Sequence, residues 1–134
     1  MAIAECPFCH PASIMLENRQ AYVIRDSHPV NPGHLLIISR RHVADFFDTT
    51  QDEKLALLVL LEQSKAILAA QYAPEGFNIG INVGEAAGQT ISHVHMHLYP
   101  ALLGRHTQSA RRRSRRDSGK TKLLTRRRTW KVVY

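Results

Sequence analysis

Cysteine is nearly absent from this chain: Cys6 and Cys9 are the only two in 134 residues. A scaffold stapled by several disulfides is therefore not expected. No stretch reads as long and apolar enough to cross a membrane, which takes roughly 20 apolar residues. Residues 1–5 lack a basic segment followed by an apolar one, so no signal peptide is read and the cytoplasm is the default. Acids are scarce at one end only. Residues 105–134 carry 12 Lys+Arg and the single acid Asp117, whereas residues 1–104 carry 6 Lys+Arg and 10 Asp+Glu. A mildly acidic body of one domain's size, 1–104, thus precedes a strongly basic tail, 105–134.

What the chain does have is histidine at a telling period. His93, His95 and His97 alternate with Val94, Met96 and Leu98. In a β-strand this places three imidazoles on one face and three apolar side chains on the other. Groups that titrate near neutrality, held side by side, suit metal binding or nucleophilic and acid–base chemistry.

The rest reads as an α+β domain: an antiparallel sheet of about five strands with one long helix packed on it. Residues 20–26 read as a strand, followed by the turn His28-Pro29-Val30-Asn31-Pro32-Gly33. Leu35-Leu36-Ile37-Ile38 is a continuous apolar run, hence a strand covered on both faces. Thr50 and Glu53 fit a capping box opening a helix to about Tyr72, with Leu55, Leu58, Val59, Leu61, Ile67 and Leu68 as its apolar side. Ala73-Pro74-Glu75-Gly76 ends it. Phe77, Ile79, Ile81 and Val83 alternate with polar residues or glycine, the period of a half-buried strand.

Three features surround the histidines. The turn Gly84 to Thr90 offers backbone N–H groups, and Gly88, Gln89 and Thr90 can approach a phosphate, with Asn82 brought alongside by a hairpin. His34 opens the apolar strand; a lone histidine there reads as a solvated polar residue. Cys6-Pro7-Phe8-Cys9 has knuckle spacing for one metal ion, which needs two further ligands. His10 is too close in sequence to serve comfortably, while His42 and one triad histidine are candidates.

Together these residues resemble the histidine triad (HIT) family, over about residues 6 to 100. The resemblance rests on His93-Val94-His95-Met96-His97-Leu98-Tyr99, Pro32-Gly33-His34, the run Asn82 to Thr90 and the N-terminal CxxC. It implies a nucleotide hydrolase or transferase acting at an α-phosphate of a nucleoside phosphoramidate or dinucleoside polyphosphate, purine favoured, releasing a nucleoside monophosphate. By resemblance His95 is the nucleophile forming a nucleotidyl-histidine, and His97 and the Gln89–Thr90 turn hold phosphate oxygens. His34 is the remote histidine near the phosphates. Asp26 meets the ribose hydroxyls and Asn82 contacts substrate or orients the site. In the zinc-containing branch Cys6, Cys9, His42 and His93 bind a structural Zn2+, with no organic cofactor. A homodimer is likewise implied by resemblance alone, and no membrane partner is expected.

The competing readings are a non-catalytic nucleotide-binding protein, a basic nucleic-acid binder working through the tail, and a histidine-rich catalytic metal site. After Pro100 the resemblance stops. The Arg-rich tail reads either as a nucleic-acid-binding segment or, fitting better, as a shifted reading frame. With suitable codons, a one-base shift from Ala101 gives a stretch similar to that following the triad in bacterial HIT proteins, then a stop at Thr125.

Overall fold

The computed structural model describes residues 3–103; the basic segment 105–134, and with it both readings of the tail, lies outside the described residues. Strands β1 (Leu16–Glu17), β2 (Ala21–Arg25), β3 (Leu35–Ser39), β4 (Gly76–Gly80) and β5 (His95–Ala101) form one sheet in the order β1-β2-β3-β5-β4, every neighbouring pair antiparallel. Helix α1 (Gln51–Tyr72) connects the central strands to the β4 edge and packs on one face. The expected fold class holds.

Register decides which residues meet on which face. Ile37 pairs with Val23 and with Met96, and these belong to the buried core under α1 with Val94, Leu98, Leu57, Leu60 and Leu68. One residue along, Tyr22 faces Ile38 and Ile38 faces His95, while Leu36 lies between Ile24 and His97. The pleat therefore sends the apolar half of the histidine run under the helix and the imidazoles to the opposite face. All five residues of β3 are buried, as an apolar strand covered on both faces requires.

The helix begins as its sequence dictates. The Thr50 hydroxyl accepts from Glu53 N at 3.0 Å and the Glu53 carboxylate accepts from Thr50 N at 2.8 Å. Its orientation departs from expectation in part: Leu68 is buried and Leu61 packs against the core as read, but the other four residues of the expected side do not. The buried positions are Glu53, Leu57, Leu60, Ser64 and Leu68, whereas Leu55, Leu58, Val59 and Ile67 are exposed. Aliphatic residues lie all around this helix, so periodicity alone cannot choose the face. For the same reason the 22-residue α1 contains an 18-residue stretch of mean hydropathy 1.2 and so, by length and composition alone, does reach that of a membrane span, contrary to the sequence reading. Its inner side is committed to the sheet.

At its end Ala73 turns left-handed (φ 46°). β4 is shorter than the alternation suggests, stopping at Gly80, and Ile79 is 58% exposed because β4 is a sheet edge. β1, with two residues, carried no readable period and was not anticipated.

Candidate functional site

The imidazole face splits into two adjoining centres. His95 and His97 lie on β5, while His93 stands just before it, and all three are buried. The rings of His95 and His97 are 5.1 Å apart. Both line a cavity of about 660 Å³ whose walls include Phe8, Ile24, Leu36, Ile91, Asp26 and Thr90.

Hydrogen bonds fix the tautomers. His95 Nδ1 lies 2.7 Å from the carbonyl of His93, which can only accept. The proton is therefore on Nδ1, and Nε2 keeps its lone pair. His34, expected in solvent, is 2% exposed. Its Nδ1 accepts from Val30 N at 3.0 Å, so Nε2 carries the proton and donates to His97 Nδ1 at 2.9 Å. That in turn places the proton of His97 on Nε2. Asp26 sits beside this chain, its Oδ2 3.3 Å from His34 Nε2 and its Oδ1 accepting from His28 N at 3.0 Å.

Burial keeps these rings neutral. Desolvation pushes His95 below its ordinary value despite the His93 carbonyl, and lowers His34 despite Asp26. His97 falls to about 3, through burial first and then the neighbouring His95 and His34.

The second centre gathers Cys6, Cys9, His42 and His93, whose ligand atoms all lie within 4.8 Å of one another. Cys6 Sγ is 3.4 Å from His93 Nδ1, and Cys9 Sγ is 3.3 Å from His42 Nδ1 and 3.7 Å from His93 Nδ1. A tetrahedral zinc with Zn–S of about 2.3 Å and Zn–N of about 2.0–2.1 Å puts sulfur and nitrogen about 3.5 Å apart, so the donor set fits that ion. His93 Nε2 lies 2.6 Å from the Ser39 carbonyl, which holds the proton there and leaves the Nδ1 lone pair facing the thiols. The local chain supports this: Cys6 precedes a 3-10 turn, Pro7–Cys9, and the Tyr22 hydroxyl donates to the Phe8 carbonyl inside it.

Asp26, His34 and His97 also lie within 4.8 Å. For them the tautomer argues the other way. A metal on His34 Nε2 would need its proton moved to Nδ1, where the Val30 N–H already points. In this trio the single His34 Nε2–H lies between two acceptors, His97 Nδ1 at 2.9 Å and Asp26 Oδ2 at 3.3 Å, so a proton already occupies the place of an ion.

The turn before β5 has Gly84 and Gly88 at positive φ (91° and 97°), around a 3-10 turn at Glu85–Ala87. Asn82 Nδ2 donates to the Gly88 carbonyl at 3.3 Å, so Asn82 braces the turn. Thr90 is exposed at the cavity wall. Sequence reasoning missed three participants: Phe8, whose ring lies 5.0 Å from that of His95, the Ser39 carbonyl, and Tyr22. Only the CxxC spacing hinted at Phe8, as the residue inside the knuckle.

The profile of the HIT domain matches residues 9–102, and the chain belongs to that family. It is 30% identical over 88 residues to the AP-4-A phosphorylase of Mycobacterium tuberculosis, covering 65% of this chain and 45% of that protein. The chain thus spans under half the length of that relative. Among solved structures it is similar to a Zn-bound histidine triad family protein from Mycobacterium smegmatis, at 32% identity and TM-score 0.66, covering 77% of this chain and 79% of that one. It is also similar to the Plasmodium falciparum diadenosine triphosphate hydrolase, at 25% identity and TM-score 0.66, over 68% and 62% of the two chains.

Proposed function

We propose that this HIT protein cleaves a nucleoside phosphoramidate or dinucleoside polyphosphate at the α-phosphate through a nucleotidyl-histidine, releasing a nucleoside monophosphate. The observation that carries the reading is the His95 tautomer: Nδ1 is tied to the His93 carbonyl, and Nε2 keeps a lone pair in a ring that lines the cavity. Nε2 attacks the α-phosphorus, the P–N or P–O bond breaks, and the leaving group departs with its electron pair and takes up a proton. Water then cleaves the P–N bond to His95, restoring the imidazole. His97 Nε2–H, oriented through His34, donates to a phosphate oxygen where charge grows, joined by the N–H groups and Thr90 of the Gly84–Thr90 turn. Asp26 reaches the ribose, and the apolar wall of Phe8, Ile24, Leu36 and Ile91 suits a purine.

Cys6, Cys9, His42 and His93 hold a structural Zn2+ in this reading. A closed set of four protein ligands leaves no position for substrate, so the ion supplies rigidity to the base of the triad. The free edge of β4 and the exposed aliphatic residues of α1 suit a homodimer, and two unoxidised thiols suit a reducing cytoplasm.

Phosphorus NMR with adenosine 5′-phosphoramidate tests the proposal. AMP release by the wild type that His95→Asn abolishes, with AMP binding retained within a few-fold, is the expected outcome. Binding without release by folded, zinc-replete protein would favour the non-catalytic nucleotide-binding reading instead.

A further inference from the structure

Gln89 makes the most complete set of side-chain bonds near the site. Its Oε1 accepts from Gly84 N at 2.8 Å, and its Nε2 donates to the Ala44 carbonyl at 2.8 Å and the Ile91 carbonyl at 3.0 Å. The amide orientation is forced: flipping it would set an oxygen against two carbonyls and an NH2 against an N–H. Both amide hydrogens are thereby spent on backbone carbonyls, and neither is directed at a phosphate.

The three anchors are placed tellingly in the chain. Ala44 stands two residues after His42, Ile91 stands two residues before His93, and Gly84 opens the phosphate turn. One amide group therefore ties together the segments that deliver two of the four metal ligands and the loop facing the substrate. The same seam is closed alongside by Val94 N donating to the Val43 carbonyl at 2.8 Å and His93 N to Ile91 O at 2.8 Å. Without Gln89, the Ala44 carbonyl would lose a donor, and Gly84 in the phosphate turn would lose its side-chain tie to the Ala44 and Ile91 segments.

We propose that Gln89 is a positioning residue, a strut between the metal centre and the phosphate turn, and not a ligand of the substrate phosphates. The inference rests on the zinc-holding and phosphate-binding assignments of the proposed function. It differs from the role that family resemblance gives this position, because a substrate ligand needs a donor to spare.

Two variants test it in the full chain. Gln89→Met keeps the bulk and removes all three bonds, while Gln89→Glu can still accept from Gly84 N and loses both donors. Zinc affinity is measured on nucleotide-free protein by competition with a chromogenic chelator, and AMP affinity on zinc-saturated protein by calorimetry, with circular dichroism confirming the fold. Both variants should bind zinc about 5-fold or more weakly than the wild type, as loss of outer contacts to a metal site does. Unchanged zinc affinity in both variants would overturn the strut; if AMP affinity fell at the same time, Gln89 would be a direct phosphate ligand. A wild type that binds no zinc would overturn it as well. A wild type that binds zinc but no AMP would defeat the nucleotide reading, leaving the zinc comparison to decide the strut.

Discussion

At the scale of single residues, the chemistry of the site is a matter of where protons sit. Four imidazoles share one patch, and each has its tautomer set by a backbone group or a neighbouring ring: the His93 carbonyl for His95, the Ser39 carbonyl for His93, Val30 N for His34, and His34 for His97. Replacing His34 by Phe should therefore act through His97. We expect turnover to fall at least about 10-fold with AMP affinity held within a few-fold, since a wrong tautomer costs catalysis more than binding. Steady-state kinetics beside calorimetry would show it; equal losses in both would mean that His34 touches the nucleotide itself. The histidine spacing made the triad legible in sequence. His34 was not legible from its own surroundings, because a histidine at a strand end and a histidine buried against another ring look the same along the chain.

At the scale of elements, the site depends on how loops are pinned to strands and helix. Gly33, at φ +88°, lies against the end of α1: a Cβ there would meet Tyr72 Cε2 at 2.8 Å, Pro100 Cγ at 3.1 Å and Leu68 Cδ2 at 3.2 Å. Gly33→Ala combines a backbone conformation unsuited to alanine with a steric clash, and should cost about 2 kcal/mol. Urea unfolding would read this as a lower midpoint at unchanged slope, and an unshifted midpoint would refute it.

Helix α1 is pinned at its other end by Arg41, whose Nε and Nη2 each donate to the buried Glu53 carboxylate at 2.8 Å. With the Arg41 hydrogen bonds as the first cause, Glu53 is held to about 2, against an ordinary value of 4.5. A depressed carboxyl favours the folded state above about pH 4.5 and loses that contribution as pH falls toward 2. Because the Arg41 side chain is 46% exposed, solvent screening brings the contribution down to about 1–2 kcal/mol. The difference in unfolding free energy between wild type and Glu53→Gln should be largest at neutral pH and close as pH drops through this window. A constant difference would place the role of Glu53 in packing. The capping box announced the helix start in the sequence. Nothing along the chain announced that Arg41 would close over the same carboxylate, since that contact forms only when the loop after β3 folds back.

For the whole molecule, the Cys6–Cys9–His42–His93 cluster and the β4 edge carry the remaining predictions. Cys6 and Cys9 come from the N-terminus, His42 from the loop after β3, and His93 from the approach to β5. One ion there would cross-link segments 87 residues apart in sequence. Chelation should lower the melting temperature substantially, and Cys9→Ala should abolish the dependence on chelator. A melting temperature that ignores both would remove the structural ion from the account. Ile79, 58% exposed on the edge strand, should matter for self-association. Sedimentation of Ile79→Lys is expected to give monomer where the wild type gives dimer, and a monomeric wild type would sink the homodimer.

Sequence alone determined what local chemistry can encode. The period of two in the histidine run, the capping box at Thr50 and Glu53, the breaker at Ala73-Pro74-Glu75-Gly76 and the CxxC knuckle each act through neighbours in the chain. Tertiary structure decided the rest. It chose which side of an all-round apolar helix faces the sheet, because only packing distinguishes Leu57 from Leu58. It buried His34 against His97, 63 residues away. It also split the histidine run between two centres, since His93 turns to the thiols while His95 and His97 face the cavity. Register across β2, β3 and β5 fixes those distances, and register is a property of strands that have already met.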